Sequence, residues 1–386
     1  MQRPANVSLA LILGATAVTL AAGALLKAPC AAGDWGDERQ YHRLCYSDIV
    51  PLYSGRELDR DRFPYVEAEN EYPVLTGLAM AVAAVPASSH AGFFWWTAIL
   101  LSAGALATAW ALFRLAGPYA LLFAAAPTLA LYSFMNWDLV AVALATLGTM
   151  LFIRGRNGWS GILLGLGAAA KLYPALFVIP FAAQRLREGR RGAALAVAVW
   201  SAGAWAAVNL PFALAAPERW SRFFRFSSER PADWDSMWLL AQRHLGFPRS
   251  TAAVNLAAAA SLAALAVLVW WLTARRAPDM PLWKLGFPLL ILFLLTSKVY
   301  SPQFSLWLLP WFALTLPNLR LFVAFSIADA AVFLTRFTWF GDFEAQPFPS
   351  PQFRTALLLR AGVLIACVVA WVRGVGVPER VEAEAA

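Results

Sequence analysis

Residues 159–184 read WSGILLGLGAAAKLYPALFVIPFAAQ. On length and apolarity the stretch could cross a bilayer once, since ~20 apolar residues suffice. Its interior argues against one straight helix. Lys171 interrupts a run of small residues, and Pro174 and Pro180 each remove a backbone donor. The reading therefore breaks the stretch near "AKLYP" into two short segments that run across and return. A lysine at membrane depth faces a cavity or a counter-charge, or else snorkels to the interface.

The rest of the chain fits that cut. Apolar residues make up 60% and charged residues 14% of 386 positions, and the mean hydropathy is +0.58. This is the composition of a polytopic all-α membrane protein. The formal charge of +8 comes from short basic clusters between apolar runs, which orient helices in a bilayer and give no reason to expect nucleic acid as a partner.

Apolar runs lie near 8–27, 93–113, 118–134, 138–153, 192–212, 252–273, 283–298, 303–317, 320–336 and 353–373. The first is long for a signal peptide and has no clear cleavage site, so it reads as a retained helix. Placing "RGRNG" (154–158), "QRLREGRR" (184–191), "TARRAPD" (273–279), "PNLR" (317–320) and the tail 374–386 in the cytoplasm gives about twelve crossings with both termini inside. That solution requires the short run 73–87 to re-enter or lie in the interface. Outside lie the loops 28–92 and 214–250 and the segment 340–351. With no repeat or linker in evidence, the chain reads as a single domain over 1–386.

The first outer loop carries seven carboxylates between 45 and 77. Asp48, in "CYSDIVPLY", could serve as a general base at a membrane surface, or Ser47 or Asp48 could cap a short helix. Ile49, Val50, Leu52 and Tyr53 have the spacing of an amphipathic interfacial helix. Glu67, Glu69 and Glu71 alternate and would share a face in an extended segment, as oxygen ligands for a divalent cation or as a solvated run. Cys30 and Cys45 either close a small ring, if the loop faces an oxidising compartment, or remain thiols.

Polar motifs recur at helix ends on the same side. "FMNWD" (134–138) offers Asn136 and Asp138, the latter a possible cap. "KLYP" offers Lys171 and Tyr173, and "SKVYSPQF" (297–304) offers Lys298, Tyr300 and Gln303. An anionic lipid phosphate would suit the two lysines. Arg43, Arg243, Asp235 and His244 are weaker candidates, while Tyr46 and Glu71 flank the acidic loop. With histidine only at 42, 90 and 244, an all-histidine metal site is implausible.

Taken in order, "CYSDIVPLY" (45–53), "EYPVLTG" (71–77), "NWDLVAVAL" (136–144), "GILLGLGAAAKLYPALFVIP" (161–180) and "SPQFSLWLLP" (301–310) resemble glycosyltransferase family 87 over roughly residues 1–375. The resemblance implies a membrane mannosyltransferase of the GT-C class, located in the plasma membrane with its active site outside. It would take mannose or a similar sugar from a polyprenyl-phosphate donor and pass it to a glycolipid or glycan. Asp48 matches the catalytic acid of the first outer loop, and Lys171 matches a lysine expected near the lipid phosphate. "NWD" offers one Asp where metal-dependent GT-C relatives have two, so no metal or other cofactor is expected. A transporter or lipid flippase is the rival class, but it predicts an inverted repeat and paired charges at the midplane.

Overall fold

The computed structural model describes residues 7–341 and 348–374. The N-terminal six residues, residues 342–347 of the 340–351 segment and nearly all of the 374–386 tail lie outside the described residues. Those described are helical or irregular, with one isolated bridge between Pro64 and Ala68. Six helices are long and apolar enough to cross a membrane: Leu9–Ala31, His90–Ala124, Arg191–Ala215, Thr251–Arg276, Leu319–Phe340 and Pro351–Val372. Shorter apolar helices, among them Val74–Ala84, Asp138–Ile153 and Leu282–Thr296, pack between them. The chain is a polytopic all-α membrane protein.

The break near "AKLYP" is sharp. The helix Asn157–Ala170 ends at Lys171, whose backbone is extended, and a 3-10 turn Tyr173–Phe177 leads into Val178–Arg187. The two arms return to the same end, because Arg185 Nε donates to Asn157 Oδ1 at 2.7 Å. The break frees the carbonyl of Ala170, which accepts from Thr76 Oγ1 at 2.6 Å. An irregular turn inside a membrane protein needs such partners. Val74–Ala84 supplies it and, at 11 residues, rises only ~16 Å, too short to cross ~30 Å of hydrocarbon.

Three loops read as basic and cytoplasmic meet at one end. Arg187 donates to the carbonyls of Pro278 and Met280, and Gln184 Oε1 accepts from Leu282 N. The helix Asp138–Ile153 separates this end from the polar motifs, with Arg154 following its last turn and Asp138 opening its first.

Some apolar runs do not become single helices. The run 118–134 is cut into Gly117–Ala120, Leu121–Ala124 and Pro127–Tyr132, since Gly117 takes a positive φ and Pro127 starts a new turn. The run 303–317 becomes the 3-10 segment Pro302–Leu308 and the short helix Leu309–Thr315. The expected interfacial helix shrinks to Pro51–Gly55. Ile49, Val50 and Tyr53 are buried in the protein core, so core packing claims the apolar face expected to meet lipid.

Close approach of backbones holds the centre. On Asn157–Ala170, a Cβ added at Gly161 would lie 2.6 Å from the Val197 carbonyl oxygen, and one at Gly165 would overlap the carbonyl of Ser201. Both obstacles are backbone atoms of Arg191–Ala215, the small-xxx-small contact by which membrane helices gain van der Waals packing. The same helix has open space beside Gly203. Gly165→Ala is therefore expected to lower the melting temperature of the purified protein by several degrees, while Gly203→Ala leaves it unchanged or slightly raised. Equal melting temperatures for the two variants would contradict this packing.

The Cys30–Cys45 disulfide joins the end of the first helix to the loop that carries Tyr46 and Asp48, with 15 residues of sequence separation. A closure of that size stabilises by ~3 kcal/mol. Thermal unfolding of the Cys30→Ser/Cys45→Ser protein should begin at lower temperature than in wild type, and adding reductant should shift only wild type.

Candidate active site

The segment from Cys45 to Val50 is strung along the chain that precedes Asp138. Asp48 N donates to Met135 O at 2.8 Å, and Ser47 Oγ donates to Phe134 O at 2.9 Å. Ser47 Oγ also accepts from Ile49 N. Neither side chain caps the short helix Pro51–Gly55, whose N-cap position is Val50; Ser47 closes a local turn, and the Asp48 carboxylate turns elsewhere. Its Oδ1 accepts from the Tyr46 hydroxyl at 2.8 Å, and its Oδ2 accepts from Asn136 Nδ2 at 2.9 Å and Gln303 Nε2 at 3.2 Å.

Asn136 links this carboxylate to the lysine of the broken helix. Its Nδ2 also donates to the Tyr72 hydroxyl, and its Oδ1 accepts from Lys171 Nζ at 3.1 Å. Lys171 lies 3.6 Å from Asp138 Oδ2 in a buried ion pair, and its ammonium faces the rings of Tyr72 and Phe304 at 5.0 and 5.7 Å. Asp138 does not cap its helix. Its Oδ1 accepts from Trp307 Nε1 at 2.7 Å, and its charge sits in the first turn, where the helix dipole favours it. Trp307 stacks on Tyr173 and on Phe304.

These residues border a cavity of about 450 Å³. Tyr46, Asp48, Glu71, Asn136, Lys171 and Tyr173 line it, with Lys298 and Gln303. Lys298 Nζ donates to the Ser228 carbonyl at 3.0 Å, and burial together with the neighbouring Arg230 lowers its pKa. Glu71 is paired with Arg56. The Tyr46 and Tyr72 hydroxyls are pushed well above the ordinary phenol range, first by burial and then by the charge of Asp48.

Other candidates stand apart. Tyr300 is buried beneath Arg360, whose guanidinium lies 3.8 Å from its ring. Asp235 lies behind the cavity wall, paired with Arg336 at 2.5 Å, and burial raises its carboxyl pKa to about 6. His244 is exposed, 3.5 Å from Arg354. Arg43 and Arg243 are exposed and do not line the cavity. Glu67 accepts from Phe63 N, and Glu69 pairs with Arg222, so the three alternating glutamates serve different partners. Among the described residues no three His, Cys, Asp or Glu side chains cluster as they would around a metal ion.

The sequence reading passed over Tyr72, Arg230, Arg336 and Lys27. Lys27 is wholly buried near the end of the first helix and donates to Tyr46 O at 2.6 Å. The signal that picks out Lys171, a charge inside an apolar run, was present for Lys27 and Arg336 as well. The roof comes from the loop 214–250. The helix Pro217–Glu229 sets Phe223 and Phe226 over the cavity, and it is clasped to the first loop by Arg219 on Val66 O and by Arg222 on Glu69.

Comparison with curated proteins gives no match. The model of glycosyltransferase family 87 matches residues 71–302, more than half of the chain. The matched part contains Glu71, Asn136, Asp138, Lys171, Tyr173 and Lys298, while Asp48 and Gln303 lie outside it. With its cavity at the polar end of an apolar helical bundle, the chain belongs to glycosyltransferase family 87 and is a membrane glycosyltransferase.

Proposed function

We propose that the enzyme moves a mannosyl or similar residue from a polyprenyl-phosphate sugar to a glycolipid or glycan acceptor, with inversion, and that Asp48 is the general base. The observation that carries this reading is the pairing across Asn136. One cavity holds a carboxylate with no ionic partner among the described residues, and a wall of cations that includes Lys171, Lys298, Arg230 and Arg336.

The acceptor oxygen attacks the anomeric carbon from the face opposite the phosphate. Its proton passes to Asp48, the bond from the anomeric carbon to the phosphate oxygen breaks, and that electron pair leaves with the polyprenyl phosphate. One negative charge is thereby lost from Asp48 and gained by the phosphate. Tyr46, Asn136 and Gln303 hold the carboxylate in place, and such positioning removes much of the entropic part of a barrier. Tyr72, Phe226 and Trp234 on the wall offer faces for a sugar ring.

The basic loops at the far end support an outward-facing cavity in the plasma membrane, with both termini inside. On this reading residues 1–386 form one GT-C-like domain. The loops 28–92 and 214–250 are extracytoplasmic, and the 374–386 tail is cytoplasmic.

Purified protein given labelled polyprenyl-phosphate mannose and a panel of glycolipids should form product, and Asp48→Asn should lower kcat by ~10²–10⁴ with donor KM little changed. Full turnover by Asp48→Asn would remove this residue as the base. Analysis of the product's anomeric configuration tests inversion separately.

A further inference from the structure

The two cavity lysines are not equivalent. Lys171 is spent: a wholly buried carboxylate neutralises it at 3.6 Å, an amide oxygen accepts a hydrogen bond from it, and two aromatic rings cover its ammonium. Lys298 is available. Among the described residues its ammonium has no carboxylate within ion-pair range, and its one side-chain hydrogen bond goes to the carbonyl of Ser228. Arg230, two residues beyond that carbonyl, also lines the cavity.

A balance of charge sharpens the contrast. Lys171 is matched by Asp138, Arg230 by Asp233, Arg336 by Asp235 and Glu71 by Arg56. Among the described side chains that line the cavity, this leaves Lys298 as the cation and Asp48 as the carboxylate without an ionic partner. One uncompensated cation suits a singly charged phosphodiester, and its pull grows as the leaving phosphate gains a second charge.

We propose that the donor phosphate is held by Lys298, assisted by Arg230, and that Lys171 binds no phosphate but positions the base, Asp48, through Asn136. The inference rests on the polyprenyl-phosphate reading above. Lys298 is then a binding residue and Lys171 a positioning residue.

The test measures binding of farnesyl phosphate, with farnesol as the uncharged control, to the full-length protein in detergent, alongside donor kinetics. Wild type should bind farnesyl phosphate more tightly than farnesol. Lys298→Ala should weaken farnesyl phosphate by roughly tenfold or more, leave farnesol unaffected and raise donor KM, and Lys298→Arg should restore binding. Because Lys171→Met alone would strand the buried Asp138, the paired variant Lys171→Met/Asp138→Asn is used. It should keep farnesyl phosphate affinity within about threefold and donor KM near wild type while kcat falls. If the paired variant loses phosphate affinity as Lys298→Ala does, or Lys298→Ala loses none, the division between the lysines is wrong although the donor reading stands. If wild type binds farnesyl phosphate no better than farnesol, the donor reading falls and this inference falls with it.

Discussion

The side-chain amide of Asn136 meets a cation with its oxygen and a carboxylate with its nitrogen. Only one of its two orientations serves both, since the reversed amide would aim hydrogens at Lys171 and an oxygen at Asp48. This constraint joins three distant pieces of chain: the loop that carries Asp48, the start of the Asp138–Ile153 helix and the break after Asn157–Ala170. Other contacts near the cavity hold those pieces in register. The Cys30–Cys45 disulfide and Lys27 anchor the loop, and Thr76 seals the carbonyl exposed by the break.

Buried ion pairs are costly unless their geometry is good, and one partner alone is costlier still. Lys171–Asp138 and Arg336–Asp235 adjoin the cavity, and Arg360–Asp329 lies deeper. Asp329 receives Ser305 at 2.6 Å and Thr128 at 2.9 Å, and so pins the 3-10 segment that offers Gln303 and Trp307 to the site. The two 3-10 segments, Tyr173–Phe177 and Pro302–Leu308, place irregular backbone beside the cavity, where surrounding protein can satisfy it.

Much of this was legible in the sequence because its signals are local. A lysine and two prolines inside an apolar run announce the break at "AKLYP". Polar triplets at helix ends announce Asn136, Asp138, Lys171 and Gln303, and basic clusters mark the loops that meet at the opposite end. Pairings were not legible. Nothing in "NWD" says that its Asp meets a lysine thirty-three residues on, and nothing in "YSD" says that Asp48 meets Tyr46, Asn136 and Gln303 and caps no helix. Hydropathy also reads 118–134 and 303–317 as unbroken apolar runs, because it weighs composition and is blind to where the backbone turns. The burial of Ile49, Val50 and Tyr53 has the same origin. An apolar stripe states that a face will be covered and leaves open whether lipid or protein covers it.

The loops 28–92 and 214–250 meet through contacts of another kind. Arg222 and Glu69 are both exposed, and an exposed pair contributes only ~0–1 kcal/mol and weakens with salt. The vessel therefore has a stiff floor and a loose rim. The floor is fixed by groups that cannot be exchanged singly. The rim can be redrawn one side chain at a time at small cost. In such an architecture a new acceptor can be acquired without relearning the chemistry.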